Sequence, residues 1–302
     1  MKTNLKILTV LVAGFLLLGF SGVAAHAGGK VDTDTKDYNF NADSAIIDNP
    51  YWTLNPPGRT FVYNSKSKDG CEVNYVYVTY DTKPFTIMTK GSPGGEDVEA
   101  RVVQDWVYVD EECDGVVNND DYLSENTLDY YAQDADRNVW YFGEYTEDYD
   151  NCNPNNPPTA NCTDTEGSWE AGKPPAEDPQ GEPAQPGIVM LAEPTPGAFY
   201  RQEYLEGEAE DMAKVLRLNA RVVLTFDNNE LDQREYEGCL MTKEWSPLER
   251  GAIEHKYYCP TEEFDGLLPL INELQGGTFR TELVGLFSGL PAGVEQPEFT
   301  YP

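Results

Sequence analysis

The chain has 302 residues, of which 53 are acidic and 21 basic, giving a formal net charge of -32 and a sequence pI near 4.2. That surplus repels nucleic acid and anionic lipid headgroups, so partners recruited by a basic surface are excluded. The acidity is read as a solubilising coat, as adaptation to salt, or as a reservoir of divalent-cation ligands.

Lys2 and Lys6 precede an apolar run from Leu8 to Phe20, and Ala25-His26-Ala27 closes it with the small-residue pattern that a signal peptidase reads. Residues 1–27 are therefore expected to be a signal peptide, and the protein periplasmic or secreted. No cysteine precedes Cys71, so a lipobox is missing, and no later stretch approaches the ~20 apolar residues of a spanning helix. The expected product is soluble, with no membrane span after cleavage. Losing Lys2 and Lys6 lowers the basic count from 21 to 19 against 53 acids.

Residues 28–45 read as a flexible acidic arm. A first β-rich half, 46–147, carries strand-like segments at Thr60–Tyr63, Val73–Tyr80, Glu99–Val109, Thr127–Gln133 and Val139–Gly143, with the period of two that a sheet requires. Pro84 is expected to keep the chain between Cys71 and the Gly91–Gly95 turn from running as one uninterrupted strand. Residues 148–187, rich in Pro, Asn and Gly, read as a surface connection. A second β-rich half, 188–290, follows with strands at Phe199–Leu205, Lys214–Phe226, Cys239–Trp245 and Ile253–Tyr258, a helical turn at Glu206–Met212, and a hairpin of Leu267–Leu274 with Thr278–Phe287. A helix is the alternative for Leu267–Leu274. Residues 291–302 form a C-terminal tail.

Six cysteines lie in the exported part, where disulfides are the default. If Ser246 faces Ala252 across the Pro247–Gly251 turn, Cys239 faces Cys259; symmetry about Ser92 puts Cys71 opposite Cys113; Cys152 and Cys162 close a short loop. The expected pairs are Cys71–Cys113, Cys152–Cys162 and Cys239–Cys259. The halves also echo each other. Pro57-Gly58 with Phe61 recurs as Pro196-Gly197 with Tyr200, and Gln104-Asp105-Trp106 as Lys243-Glu244-Trp245, both at an offset of 139; Tyr130-Tyr131-Ala132 recurs as Tyr257-Tyr258-Cys259 at 127. The expected fold is mainly β with little helix, an antiparallel curved sheet or split barrel built from two related halves.

The mature chain has one histidine, His255, and carries no Gly-x-Ser-x-Gly elbow, Walker loop or dinucleotide fingerprint. Multi-histidine metal centres, common hydrolases and nucleotide enzymes are thereby disfavoured. Carboxylate chemistry remains. In the hairpin register above, Glu244 faces Glu254 with Lys256 diagonal to Glu244, while His255 and Lys243 share the opposite face. Asp134-Ala135-Asp136-Arg137-Asn138 resembles the start of a calcium loop, yet Val139 stands where Gly is needed, so a turn between strands competes with Asp134, Asp136 and Asn138 as metal ligands. The tryptophans Trp52, Trp106, Trp140, Trp169 and Trp245 read as core or as a sugar-stacking face.

Longer motifs add a resemblance. Asn49-Pro50-Tyr51 leads to Pro57-Gly58-Arg59-Thr60-Phe61-Val62-Tyr63, followed by Tyr131-Ala132-Gln133-Asp134, Asn138-Val139-Trp140-Tyr141-Phe142-Gly143-Glu144, Gly167-Ser168-Trp169-Glu170-Ala171-Gly172 and Glu254-His255-Lys256-Tyr257-Tyr258. Over residues 46–287 the chain resembles a group of uncharacterised exported bacterial β-rich proteins. The resemblance implies export and β structure and no mechanism. Cys259-Pro260-Thr261 departs from its usual Ala-Pro-Gly-Val-Gly-like turn, and the cysteine pairs look peculiar to this chain.

The resulting expectation is a non-enzymatic binding or envelope-associated protein using Trp106, Trp245, His255 and Lys256. Its ligand would be a glycan or a divalent cation, with calcium the one candidate cofactor. The alternative is a secreted hydrolase acting on a glycan through Glu244, Glu254 and Asp105.

Overall fold

The computed structural model describes residues 28–153, 158–175, 178–231, 233–261, 266–274 and 277–300; the expected signal peptide, residues 1–27, lies outside them. Sixteen strands follow in chain order: β1 (Asp48–Asn49), β2 (Trp52–Thr53), β3 (Arg59–Ser67), β4 (Cys71–Ile87), β5 (Glu96–Asp110), β6 (Tyr122–Gln133), β7 (Val139–Asp148), β8 (Trp169–Glu170), β9 (Gln185–Met190), β10 (Phe199–Arg201), β11 (Glu203–Tyr204), β12 (Met212–Val223), β13 (Glu235–Trp245), β14 (Glu254–Thr261), β15 (Gly266–Leu274) and β16 (Phe279–Ser288). Apart from the small β1–β2 hairpin they join one antiparallel sheet, in the order β10-β12-β13-β14-β15-β16-β3-β4-β5-β6-β7-β9-β11, with β8 beside β7.

The sheet nearly closes into a barrel. Its two ends are consecutive in the chain: β10 pairs with β12, and one residue later β11 pairs with β9. Between them the Gln202 amide donates to the Asp211 carbonyl at 2.7 Å. The seam is tight enough to need glycine, because a Cβ on Gly187 would sit 2.3 Å from the Gln202 carbonyl carbon and 2.6 Å from the Arg201 carbonyl oxygen. Closure removes the unpaired strand edges that would otherwise template aggregation.

The halves repeat in order as well as in motif. Strands β3-β4-β5-β6-β7-β9 form one meander and β10-β12-β13-β14-β15-β16 the other, and each runs into its partner through β16–β3 and β9–β11. Gly58 and Gly197 open the two meanders with matching left-handed φ of 84° and 92°, and their amides donate to the carbonyls of Val78 and Val215.

Alternation along each strand sorts side chains to two faces. Phe61, Val76, Val78, Val103, Tyr131, Tyr141, Val215, Leu240, Tyr258 and Leu283 belong to one large core inside the sheet. Val62, Tyr75, Trp106 and Val284 form a second cluster on the outside, where Trp106 stacks on Tyr75 and Leu290 and Val294 of the C-terminal segment cover it. That segment is anchored by buried Glu147, which accepts from the Thr300 amide at 2.7 Å, the Thr300 hydroxyl at 2.9 Å and the Tyr149 hydroxyl at 2.8 Å. Residues 28–45, expected as an arm, are tied to the body: Val31 bonds Phe199, Ala135 bonds Asn39, and Tyr38 meets the Trp140 ring edge-on at 4.8 Å. Among the described residues no helix is long and apolar enough to cross a membrane.

All three expected disulfides are present. Leu240 stands opposite Tyr258 and Glu244 opposite Glu254, the register that places Cys239 facing Cys259. The first bridge is right but its expected register is not: Cys71 faces Asp110, three residues short of Cys113, because the turn is centred one register step from Ser92, with Ile87 opposite Glu96, and two extra residues of β4 bulge between Val78 and Thr82. Cys113 then comes back to Cys71 through a left-handed turn, with φ 54° and its amide on the Asp110 carbonyl. Nor does Pro84 end its strand. Strand β3 pairs only as far as Tyr77, so β4 beyond Val78 has a ladder on one side, and the missing proline N–H forfeits nothing there. At Glu206–Met212 the helical turn is replaced by a tight turn between bridged Leu205 and Ala209, after which β12 begins. Gly266–Leu274 is a strand, as the hairpin reading expected.

Gly187→Ala should lower the thermal midpoint by several degrees, corresponding to about 1–3 kcal/mol of overpacking strain, whereas Gly94→Ala, where a Cβ meets nothing within 4 Å, should leave it unchanged. Equal midpoints for the two variants in a calorimetric comparison would count against a seam held by Gly187.

Candidate functional site

The interior wall of the second half carries an ion pair. Thr242 faces Lys256 and Glu244 faces Glu254 across β13 and β14, so Glu244 and Lys256 are diagonal neighbours on the inner face. Both are almost fully buried, and Lys256 Nζ lies 2.9 Å from Glu244 Oε2. The Thr242 hydroxyl donates to Glu244 Oε1 at 2.8 Å, and Asn272 Nδ2 donates to Glu254 Oε2 at 3.1 Å. Burial alone would push the Lys256 ammonium down, yet Glu244, Glu254 and Asp211 hold it above its ordinary value. Burial raises Glu254, with Lys256 pulling the other way. Nearby Glu203 is pushed up to about 8 by burial and the neighbouring Asp211, partly offset by Trp169 and Lys256.

The first half repeats this lattice with different chemistry. Asp105 faces Thr127 and Val103 faces Asp129 across β5 and β6, the same two rungs that hold Glu244–Glu254 and Thr242–Lys256. Asp105 thus occupies the place of Glu244, Asp129 that of Lys256, and Tyr131 that of Tyr258. Where the second half has an ammonium, the first has a carboxyl. Asp105 accepts from Asn74 Nδ2. Asp129 accepts from the Tyr141 hydroxyl at 2.6 Å and from Tyr131. Burial pushes Asp105 well above 3.8, with Asp129 and Glu125 adding to it. Asp129 is raised to about 7, again chiefly by burial, against the two tyrosine hydrogen bonds. Asp105 and Asp129 thus oppose each other's ionisation on the same inner face.

Several polar atoms of buried or half-buried inner-face side chains find no partner among the described residues, among them Tyr63 Oη, Asn74 Oδ1, Tyr200 Oη and Asn272 Oδ1. Most buried polar atoms are paired, so these open positions set the inner wall apart from the rest of the core.

No family model, curated protein or solved structure matches the chain. What the interior can do is therefore read from its own chemistry.

The other residues singled out from the sequence do not converge on one place. Trp106 is buried in the outer cluster. Trp245 lies on the outer face of β13 beneath the Lys243 ammonium, 4.7 Å from its ring centre. His255, opposite Lys243, lies on that face also; burial lowers its pKa, with Glu273 opposing and Lys243 and Arg217 assisting. Lys256 points the other way, into the ion pair. Asp134 is fully engaged in its turn: Oδ1 accepts from the Asp136 and Asn138 amides, and Oδ2 from Asn138 Nδ2 and the Trp140 indole, all at 2.8–2.9 Å. Asp136 is exposed, and no group of three or more acids, histidines or cysteines able to hold a metal occurs among the described residues. Of the hydrolase set, Asp105 and Glu244 both face inward but on opposite halves, and Glu244 is neutralised by Lys256.

Sequence reading missed Asp129, Tyr63, Tyr141 and Glu203. The offset of 127 that aligns Tyr131 with Tyr258 also aligns Asp129 with Lys256, and it was the signal that would have found the first of them.

Two outcomes are expected. Lys256→Met leaves Glu244 buried without its counter-charge and should cost about 3–5 kcal/mol in urea unfolding, most of it recovered in the joint Lys256→Met, Glu244→Leu variant; equal losses in the single and joint variants would refute the coupling. Stability should also fall as pH rises. Asp129 and Glu203 stay protonated in the native protein up to about 7 and about 8, but in the unfolded chain they release protons near their ordinary 3.8 and 4.5. Over that window the native state binds more protons, so the thermal midpoint should decline from about pH 4.5 to about pH 8, less steeply in Asp129→Asn.

Proposed function

We propose that this is an exported, non-enzymatic binding or envelope-associated protein that receives a neutral or cationic ligand on the inner wall of its barrel. Three disulfides and the lack of a long apolar helix among the described residues fit an extracellular or periplasmic protein. Periplasmic or secreted delivery by the expected signal peptide goes with that reading. The observation that carries it is the inner wall, where tyrosines and asparagines leave hydrogen-bonding positions open in a nearly closed, mostly apolar sheet. The strong negative charge favours a ligand without negative charge, and a glycan or a divalent cation such as calcium remains within that class.

Against the hydrolase reading, an acid and base flanking a glycosidic bond must both be free to exchange protons with it, and Glu244 is committed to Lys256. Melting the mature protein against calcium, a chelator, neutral oligosaccharides and small amines tests the proposal. A saturable rise in midpoint for one class, reduced in Glu203→Gln, is the expected result. Midpoints unmoved by every class would sink the binding reading, and equal midpoints in calcium and chelator would remove calcium from it.

A further inference from the structure

The internal repeat places one question at one spot. In the second half, the inner-face acid of β13 is matched by an ammonium on β14; in the first half the equivalent acid of β5 is met by another acid on β6. The groups acting on Asp105 and Asp129 are acids, an amide and tyrosines: Glu125, Asn74, Tyr131 and Tyr141. The buried corner therefore gathers negative charge without a cation of its own among them. A second observation is independent of the carboxyl groups. Tyr63 stands opposite Asn74 in the β3–β4 ladder, both are at least 95 % buried, and both Tyr63 Oη and Asn74 Oδ1 lack partners. Asn74 is held by Asp105 through its amide nitrogen, which leaves its carbonyl oxygen beside the carboxyl as an acceptor. Tyr63 lies close enough for the Asp105 charge to act on its hydroxyl.

An ammonium carries three donors and no acceptor, and this corner offers acceptors at Asp105, Asp129, Asn74 Oδ1 and Tyr63 Oη. We infer that the Asp105–Asp129 corner is a binding subsite for the ammonium group of a small organic amine, which takes there the place Lys256 takes in the other half. The inference rests on the interior being a ligand site and adds the ligand's class. The chain itself supplies the precedent, since an ammonium already sits buried against an acid, a threonine and further carboxyl groups one half-barrel away. Metal ions fit less well, because they demand several carboxylates ionised together, whereas this pair faces two tyrosines and an amide.

The probes are n-butylamine and putrescine, with n-butanol as the neutral match and calcium as the inorganic cation. At an amine concentration about tenfold above its Kd, the midpoint of the mature protein should rise by roughly 3 °C or more. Calorimetric binding enthalpy near pH 7 should vary with the buffer, because a cation entering beside two acids whose pKa burial raises displaces a proton from them. Asp105→Asn should abolish the amine response while remaining folded. Asp129→Lys supplies an internal ammonium at the position of Lys256 and should raise the midpoint of the free protein while removing its response to amine. Amine responses of equal size in the wild type and Asp105→Asn would overturn the inference, as would calcium or butanol matching the amines. If amines do nothing while an oligosaccharide binds, the ammonium subsite fails and the binding reading stands; if no probe of any class binds, both fail.

Discussion

Closure of the sheet at Phe199–Tyr204 is the constraint on which the rest of the structure depends. A curved antiparallel sheet of this length would otherwise present two long edges to solvent and one broad apolar face to nothing. By splitting a single chain segment between β12 and β9, the fold turns that face into an interior and gives the barrel a core that either meander alone would lack. Gly187 is the local expression of this constraint, since only a residue without a Cβ lets the two sheet ends approach so closely.

An interior made this way is mostly apolar, and polar groups within it must be held by one another. The strongly acidic chain meets that requirement differently at different places. Glu147 and Glu282 become anchors, Glu147 for the C-terminal segment and Glu282 for the Thr225–Phe226 turn, whose amides and hydroxyl it accepts along with Arg280. Glu244 is neutralised by Lys256. Asp105 and Asp129 are met by an amide and tyrosines, and burial raises the pKa of both. Corresponding rungs of the two hairpins thus hold an ion pair in one half and an acid pair in the other.

How far the sequence discloses this follows the range of each interaction. The β13–β14 hairpin was legible to the residue, including Glu244 opposite Glu254, because a short turn fixes register locally and alternation does the rest. In the β4–β5 hairpin the bridge was legible but the register was not, because the turn sits one register step from symmetry about Ser92 and nothing in Thr79-Tyr80-Asp81 announces that two residues leave the ladder. The pairings β16–β3 and β9–β11 carry no local signal at all; they are set by how the whole sheet curls. For the same reason the inner-face partnership of Asp105 with Asp129, Tyr141 and Tyr63 could not be read strand by strand. Lys256 and Trp245, close in sequence, were grouped as one site although the period of the strands sends them to opposite faces.

The β3–β16 ladder joins Ser67 to Phe279 and Arg59 to Ser288, so the first long strand is completed by the last. A chain built in this order has no finished sheet until nearly all of it is available. The last strand therefore acts as a clock: until it is available β3 keeps an open edge, and the sheet locks only when β16 arrives.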